Sequence, residues 1–240
     1  MSPTHYDLIV IGSGPAGEKG AAQAAYFGKR VALIEREAVL GGAAANTGTL
    51  PSKTLRETAL YLSGFRQRGL YGVKMSLRDR VTARDFLYRE RQVQHTEHAR
   101  IIANLHRHKI DLFKGHASFV DAHTVRLENR GAPEVILTGD FVLLATGSHP
   151  FRPAVFPFHD ARVYDSDTIL NLHDIPQEML VVGGGVIGCE YACMFSALGI
   201  RVTLLEGRER LLTFLDHDVS QLLTRNMVEM GVDLRFNATV

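Results

Sequence analysis

Residues 7–35 read DLIVIGSGPAGEKGAAQAAYFGKRVALIE, and the punctuation of this stretch decides the fold. It opens with a short, uninterrupted apolar run, the pattern of a strand buried on both faces. Gly12, Gly14 and Gly17 follow as GxGxxG, and an alanine-rich helical stretch then stops at Gly28, where a left-handed terminal residue is least strained. A second strand begins Arg-Val and ends in an acid, Glu35. Residues 178–206, EMLVVGGGVIGCEYACMFSALGIRVTLLE, repeat every part: an apolar run, Gly183, Gly185 and Gly188, a helical stretch stopped by Gly199, Arg-Val, and Glu206.

Each part has a physical reason. The first glycine makes the tight strand-to-helix turn, the second lets the backbone approach a pyrophosphate, and the third lets helix and strand pack closely. The diphosphate sits on unsatisfied N–H groups at the positive end of the helix, and the acid accepts a ribose hydroxyl. Pro15 and Ala16 in the first copy, and Val186 and Ile187 in the second, stand at these helix starts and are counted with the glycines as cofactor-binding. One such pattern is a common glycine turn; two copies, each with strand, helix and acid in place, predict two bound dinucleotides.

The totals bound the alternatives. The 240 residues are enough for one large domain or two modest ones, and 45% hydrophobic with 22% charged residues describes a globular protein with a real core. A net charge of +1, with both signs interspersed, gives no footprint for nucleic acid or an anionic membrane. No apolar run approaches the roughly 18 residues that span a bilayer. MSPTHYDLIVIG carries no basic leader, so no secretory signal is expected and a cytoplasmic setting is. The two cysteines, Cys189 and Cys193, are spaced neither as CxxC nor as a disulfide framework, and read as small buried apolar residues.

The remaining segments fit around these anchors. Pro51 suits the first turn of a helix running to about Gln67. Thr82-Ala-Arg-Asp85 reads as a capping box ahead of a long helix ending near His108. Its histidines (His95, His98, His106 and His108) lie among Arg, Glu and Gln and are expected on a solvated face, with no metal site. From Asp111 to Asp140, FKGHASF, HTVRLE and EVILTG predict an antiparallel meander. DFVLLATGSHP adds a buried strand stopping at Thr146-Gly147-Ser148, where ligands of open α/β sheets lie. The proline-rich stretch from Phe151 reads as a crossing to a second domain, within which a helix near Asp218–Met230 and a strand at Val232–Phe236 close the chain. The predicted architecture is α/β: two Rossmann-like domains at 1–150 and 177–240, the second incomplete, with 151–176 as linker.

Gly41–Lys53, GGAAANTGTLPSK, is glycine-lined yet free of Cys, His, Asp and Glu. Together with GSGPAG and Glu35, the ATGS turn at Ala145–Ser148, and GGGVIGCE with Glu206, it resembles the flavoprotein pyridine-nucleotide-dependent oxidoreductases, the family of dihydrolipoamide dehydrogenase and glutathione reductase. The resemblance runs along the whole chain. It implies FAD in the first site and NAD(H) or NADP(H) in the second. In the disulfide-reducing members two cysteines face the flavin at the positions held here by Ala44 and Thr49, neither of which can form a thiolate. GTLPSKTLRE and YLSGFRQRGLYG, with the lost cysteines, resemble most the soluble, Si-specific transhydrogenase branch, in which hydride passes from NADPH to FAD and on to NAD+.

By the same resemblance, Gly41 and Gly42 reach the FAD pyrophosphate, and Arg36, Ala44, Thr49, Ala117, Thr146, Gly147 and Ser148 belong to the FAD site. Lys53 lies near the flavin and pairs with Glu190, which also contacts the nicotinamide, so these two are the implied catalytic pair. Bringing nicotinamide against flavin is an orientation problem, and a cation near the ring stabilises negative charge on its reduced form. Glu206 repels a 2′-phosphate, yet a transhydrogenase must also accept NADP; Arg208 and Arg210, just beyond Glu206, can hold that group if the carboxylate turns aside. Family members are homodimers that continue past the equivalent of Val240, re-enter the FAD domain and finish in a dimerisation domain; the expectation is therefore a chain without that domain and with exposed apolar sheet surface. Three functions stay open: a transhydrogenase, a cysteine-free NAD(P)H oxidoreductase with another acceptor, and a nucleotide-binding module without turnover.

Overall fold

The computed structural model describes residues 4–67, 81–129, 131, 133–238 and 240. The last five residues of the YLSGFRQRGLYG phrase, 68–72, lie outside the described residues. The chain forms two compact units, one from residues 1–51 and 91–167, the other from 52–90 and 168–240.

In the first unit, strand β1 (Thr4–Ile11) leads into helix α1 (Pro15–Tyr26) and strand β2 (Val31–Glu35). All five β2 residues are buried, as an unbroken apolar run requires. Helix α2 (Gly42–Asn46) and the start of α3 (Thr49–Gln67) follow, and the chain returns through α4 (Ala83–Arg107). The capping box is present: Thr82 Oγ1 accepts the Asp85 amide at 3.2 Å while the Asp85 carboxylate accepts the Thr82 amide at 2.9 Å. Strands β3 (Asp111–Lys114), β4 (His116–Phe119), β5 (Thr124–Glu128) and β6 (Val135–Leu144) complete a sheet of order β3-β2-β1-β6-β5-β4.

Three details depart from the sequence reading. The meander is β4-β5-β6, whereas β3 joins β2 in parallel. EVILTG and DFVLLA are one strand, β6, whose first residues pair antiparallel with β5 while its length runs parallel to β1. Nor is β6 buried throughout: Leu143 packs in the α1 cluster, but Phe141 is 73% and Leu144 61% exposed. Buried α1 and α4 residues (Ala21, Ala22, Ile101, Leu105) form one core with β1 and β2 residues Val10, Val31 and Leu33. Glu18, almost fully buried on α1, ties down α4 by accepting from Asn104 Nδ2 at 2.6 Å and pairing with Arg100.

In the second unit, β7 (Glu178–Val182), α5 (Val186–Ala197), β8 (Arg201–Leu205), α6 (His217–Glu229) and β9 (Asp233–Arg235) alternate around a parallel sheet of order β7-β8-β9. Thr168–Asn171 forms a short 3-10 turn ahead of it. The β7 run was expected to be buried on both faces. Instead Leu180 and Val182 are exposed, because β7 is the edge of this three-stranded sheet and α5 covers only the alternate side chains, such as Val181. No helix among the described residues is long and apolar enough to cross a membrane.

Candidate functional site

The sheet order of the first unit reverses between β1 and β6, and such a switch point opens a crevice at the carboxyl ends of the strands. Gly12 stands there with φ +106°, its amide bonded to Ile34 O at 2.8 Å. A Cβ on Gly12 would lie 2.2 Å from Ala145 O, and one on Gly17 only 1.8 Å from Gly12 O. Strand ends and helix are therefore packed to the limit that glycine allows. Beyond β6, Thr146, Gly147 and Ser148 are exposed at this same end.

Helix α1 begins at Gly14 with no side-chain cap and with Pro15, which has no N–H, at its first position. Its orphan amides are thus left for a ligand, and Pro15 and Ala16 are exposed there. Facing Gly14 is the backbone of Gly41 (φ +100°) and Gly42 (φ +55°); a Cβ on Gly42 would come within 3.0 Å of Gly14 Cα. This is a cradle that any side chain would fill, with backbone on two sides. Its residues fit the diphosphate of FAD.

Glu35 ends β2 buried. Its Oε2 accepts Ser13 N at 2.9 Å and Ser13 Oγ at 2.6 Å, and its Oε1 accepts Glu37 N at 2.8 Å. Burial pushes the carboxyl up, but the Glu37 amide, both Ser13 donors and Lys114 outweigh it and hold the group below the ordinary carboxylate value. Glu35 is thus a brace for the glycine turn. Gly115 N bonds Glu35 O at 2.9 Å, which brings the β3–β4 junction alongside, with half-buried Ala117 just beyond. Arg36 is exposed and pairs with Glu37. Ala44 sits half-buried in α2, and Thr49 opens α3, exposed.

The second unit repeats this geometry. Gly183 has φ +104° and bonds Leu205 O at 2.8 Å, and a Cβ on Gly188 would lie 2.0 Å from Gly183 O. Helix α5 starts at Gly185 without a side-chain cap, and Val186 and Ile187 are exposed at its opening. Glu206 uses the same two-amide grip as Glu35, accepting Gly184 N at 2.7 Å and Arg208 N at 2.9 Å. The two arginines differ. Arg210 is committed to the carbonyls of Thr213 and Leu215, whereas exposed Arg208 makes a single 3.2 Å bond to Thr213 Oγ1. Lys53, exposed on α3, donates to Glu190 Oε1 of α5 in a short ion pair. Glu35, Gly41 and Gly42 thus gather at the first glycine turn and Glu206 at the second.

The thiols lie elsewhere. Cys189 is buried under the second glycine turn, 3.5 Å from Gly184 O, and burial pushes it up to about 11; burial and Glu190 push Cys193 up as well. Both stay protonated near neutrality, the opposite of a redox cysteine.

Two contributors were missed. His98 is not on a solvated face: its Nε2 accepts the Leu40 amide at 2.5 Å, directly before the Gly41–Gly42 turn. The legible signal was spacing, because Gln94, His98, Ile101 and Leu105 fall on one helical stripe whose last two members are core. Asn46 was missed too. Its Nδ2 donates to Leu40 O at 2.9 Å and Gly42 O at 3.0 Å.

Comparison with known proteins agrees with this geometry. Residues 6–240 match the family model described as pyridine nucleotide-disulphide oxidoreductase. A soluble pyridine nucleotide transhydrogenase of Mycobacterium bovis (strain BCG / Pasteur 1173P2) is 46% identical over 236 residues, 98% of this chain and 50% of its own length. That of Pseudomonas fluorescens (strain SBW25) is 38% identical over 99% of this chain and 51% of its own. Among solved structures, the Cu(II) complex of the HOCl-induced flavoprotein disulfide reductase RclA from Escherichia coli superposes with a TM-score of 0.84 at 30% identity, over all of this chain and 50% of that one. The chain spans about half the length of the curated relatives it matches.

Proposed function

Since the chain belongs to the pyridine nucleotide-disulphide oxidoreductase family, we propose that it carries the FAD- and nicotinamide-nucleotide-binding parts of a Si-specific transhydrogenase moving hydride between NADPH and NAD+. The observation that carries this reading is the presence of two uncapped glycine turns with the cysteine-free Gly41–Lys53 segment between them in sequence. With Ala44 and Thr49 in place of a thiol pair, and both cysteines held protonated, no disulfide can take the electrons. Bound FAD would supply the hydride relay between the two nucleotides.

The protein's own part is binding and electrostatics. The α1 and α5 amides hold the two diphosphates, and Glu35 and Glu206 accept from the riboses. Lys53 places a cation for charge that develops on the reduced flavin, and Glu190 fixes its direction and meets the nicotinamide. Arg208 is the residue for an NADP 2′-phosphate, because Arg210 is already engaged. The setting proposed is the cytoplasm, where nicotinamide nucleotides are abundant.

The test is purification of the chain with FAD, followed by NADPH-driven reduction of a thio-NAD+ analogue. Formation of the reduced analogue by a yellow protein is the expected result. Reduction of a dye with no reduced analogue would point to a different acceptor. A colourless, inactive chain would leave only a binding module.

A further inference from the structure

The Leu40–Gly42 turn is held at nearly every backbone group. Leu40 N donates to His98 Nε2, and Leu40 O and Gly42 O accept from Asn46 Nδ2. Gly41 N donates to Ser13 Oγ at 3.0 Å, and Asn46 is itself steadied by Gln94 Nε2, 3.3 Å from its Oδ1. A backbone N–H can only donate, so Nε2 is the acceptor and the ring's N–H is on Nδ1.

We propose that His98 is a positioning residue for the flavin diphosphate: its Nε2 holds the Leu40 amide and thereby sets the Gly41–Gly42 turn. The proposal rests on the FAD reading of the first unit. Without that acceptor the Leu40 N–H loses its partner, and Leu40 cannot simply turn away, because its side chain is buried in the α1–α4 core. The turn must then shift as a piece, carrying Gly41 and Gly42 away from Gly14.

The experiment uses the full chain as wild type, His98→Gln and His98→Ala. The glutamine keeps an acceptor near the Nε2 position. Two readouts are taken: FAD affinity by fluorescence titration, and hydrogen-exchange protection of the Leu40 amide in the flavin-free chain. The expected result is a loss of about tenfold in both for His98→Ala, most of it recovered in His98→Gln. Leu40 protection in His98→Ala equal to wild type would overturn the proposal, and so would an FAD affinity that stays unchanged when Leu40 protection falls. An unprotected Leu40 amide in wild type, which needs no variant, would overturn it too. If Leu40 protection behaves as expected but no protein binds FAD, the FAD reading fails while the hold of His98 on the turn stands.

Discussion

Gly17→Ala is the sharpest perturbation of the first site. A Cβ there would stand 1.8 Å from Gly12 O and 2.9 Å from its carbon, whereas real Cβ contacts stay outside 3.0 Å. The clash is with backbone, so no side chain can rotate away. The Gly12 carbonyl or the start of α1 must retreat by about 1.2 Å in a close-packed interior. Gly12 has little room, being bonded to Ile34 O and crowded by Ala145 O. Forced overpacking against backbone costs about 3 kcal/mol or more, some two orders of magnitude if it falls wholly on binding. The assay is a urea melt paired with an FAD titration. Gly28→Ala is the control, since its Cβ meets nothing within 4 Å and only its φ of +77° is strained, at about 1 kcal/mol. Gly188→Ala, with its Cβ 2.0 Å from Gly183 O, is the same lesion in the second unit and should weaken nicotinamide-nucleotide binding while sparing FAD. A Gly17→Ala protein with wild-type stability and flavin affinity within twofold would refute the close packing of helix on turn, and with it the backbone cradle.

Lys53→Ala should slow flavin reduction by NADPH about tenfold or more without releasing FAD, because it removes a charge rather than a cradle; identical stopped-flow traces would dismiss that role. Arg208→Ala should raise KM for NADPH several-fold more than KM for NADH, while Arg210→Ala should act through stability, since its guanidinium holds two carbonyls. Equal effects on the two nucleotides would discard the assignment. Glu35 has a depressed folded value, so its contribution is complete above the ordinary carboxylate range and is lost as pH falls through the folded value. Urea midpoints should therefore drop in acid for wild type and less steeply for Glu35→Gln; parallel curves would mean the Ser13 grip contributes nothing.

What could be read directly from the residues is what depends on near neighbours. GxGxxG demands small residues at fixed spacings because strand, turn and helix touch within a few residues, and both copies form as expected at Gly12–Gly17 and Gly183–Gly188. The capping box at Thr82 and Asp85 is local in the same way. Legibility fails where burial depends on a neighbour that is remote in the chain. The apolar runs of β6 and β7 look alike on paper to that of β2, yet Phe141, Leu144, Leu180 and Val182 are exposed, because an apolar run states that a side chain tolerates burial and not whether anything covers it. The pairing of Lys53 with Glu190 was reached through likeness to a family, since no spacing rule connects residues 137 apart.

By itself, then, the sequence determined two nucleotide-cradling turns, the acid that closes each, and the lack of any thiol between them, all consequences of backbone sterics and residue chemistry over short distances. Only the tertiary structure decided that each acid grips two backbone amides at its own turn, that Arg210 is held by two carbonyls while Arg208 makes one bond to Thr213, and that His98 faces Leu40 from 58 residues away. A hydrogen bond needs its donor and acceptor within about 3 Å, and that proximity exists only once the helices have packed.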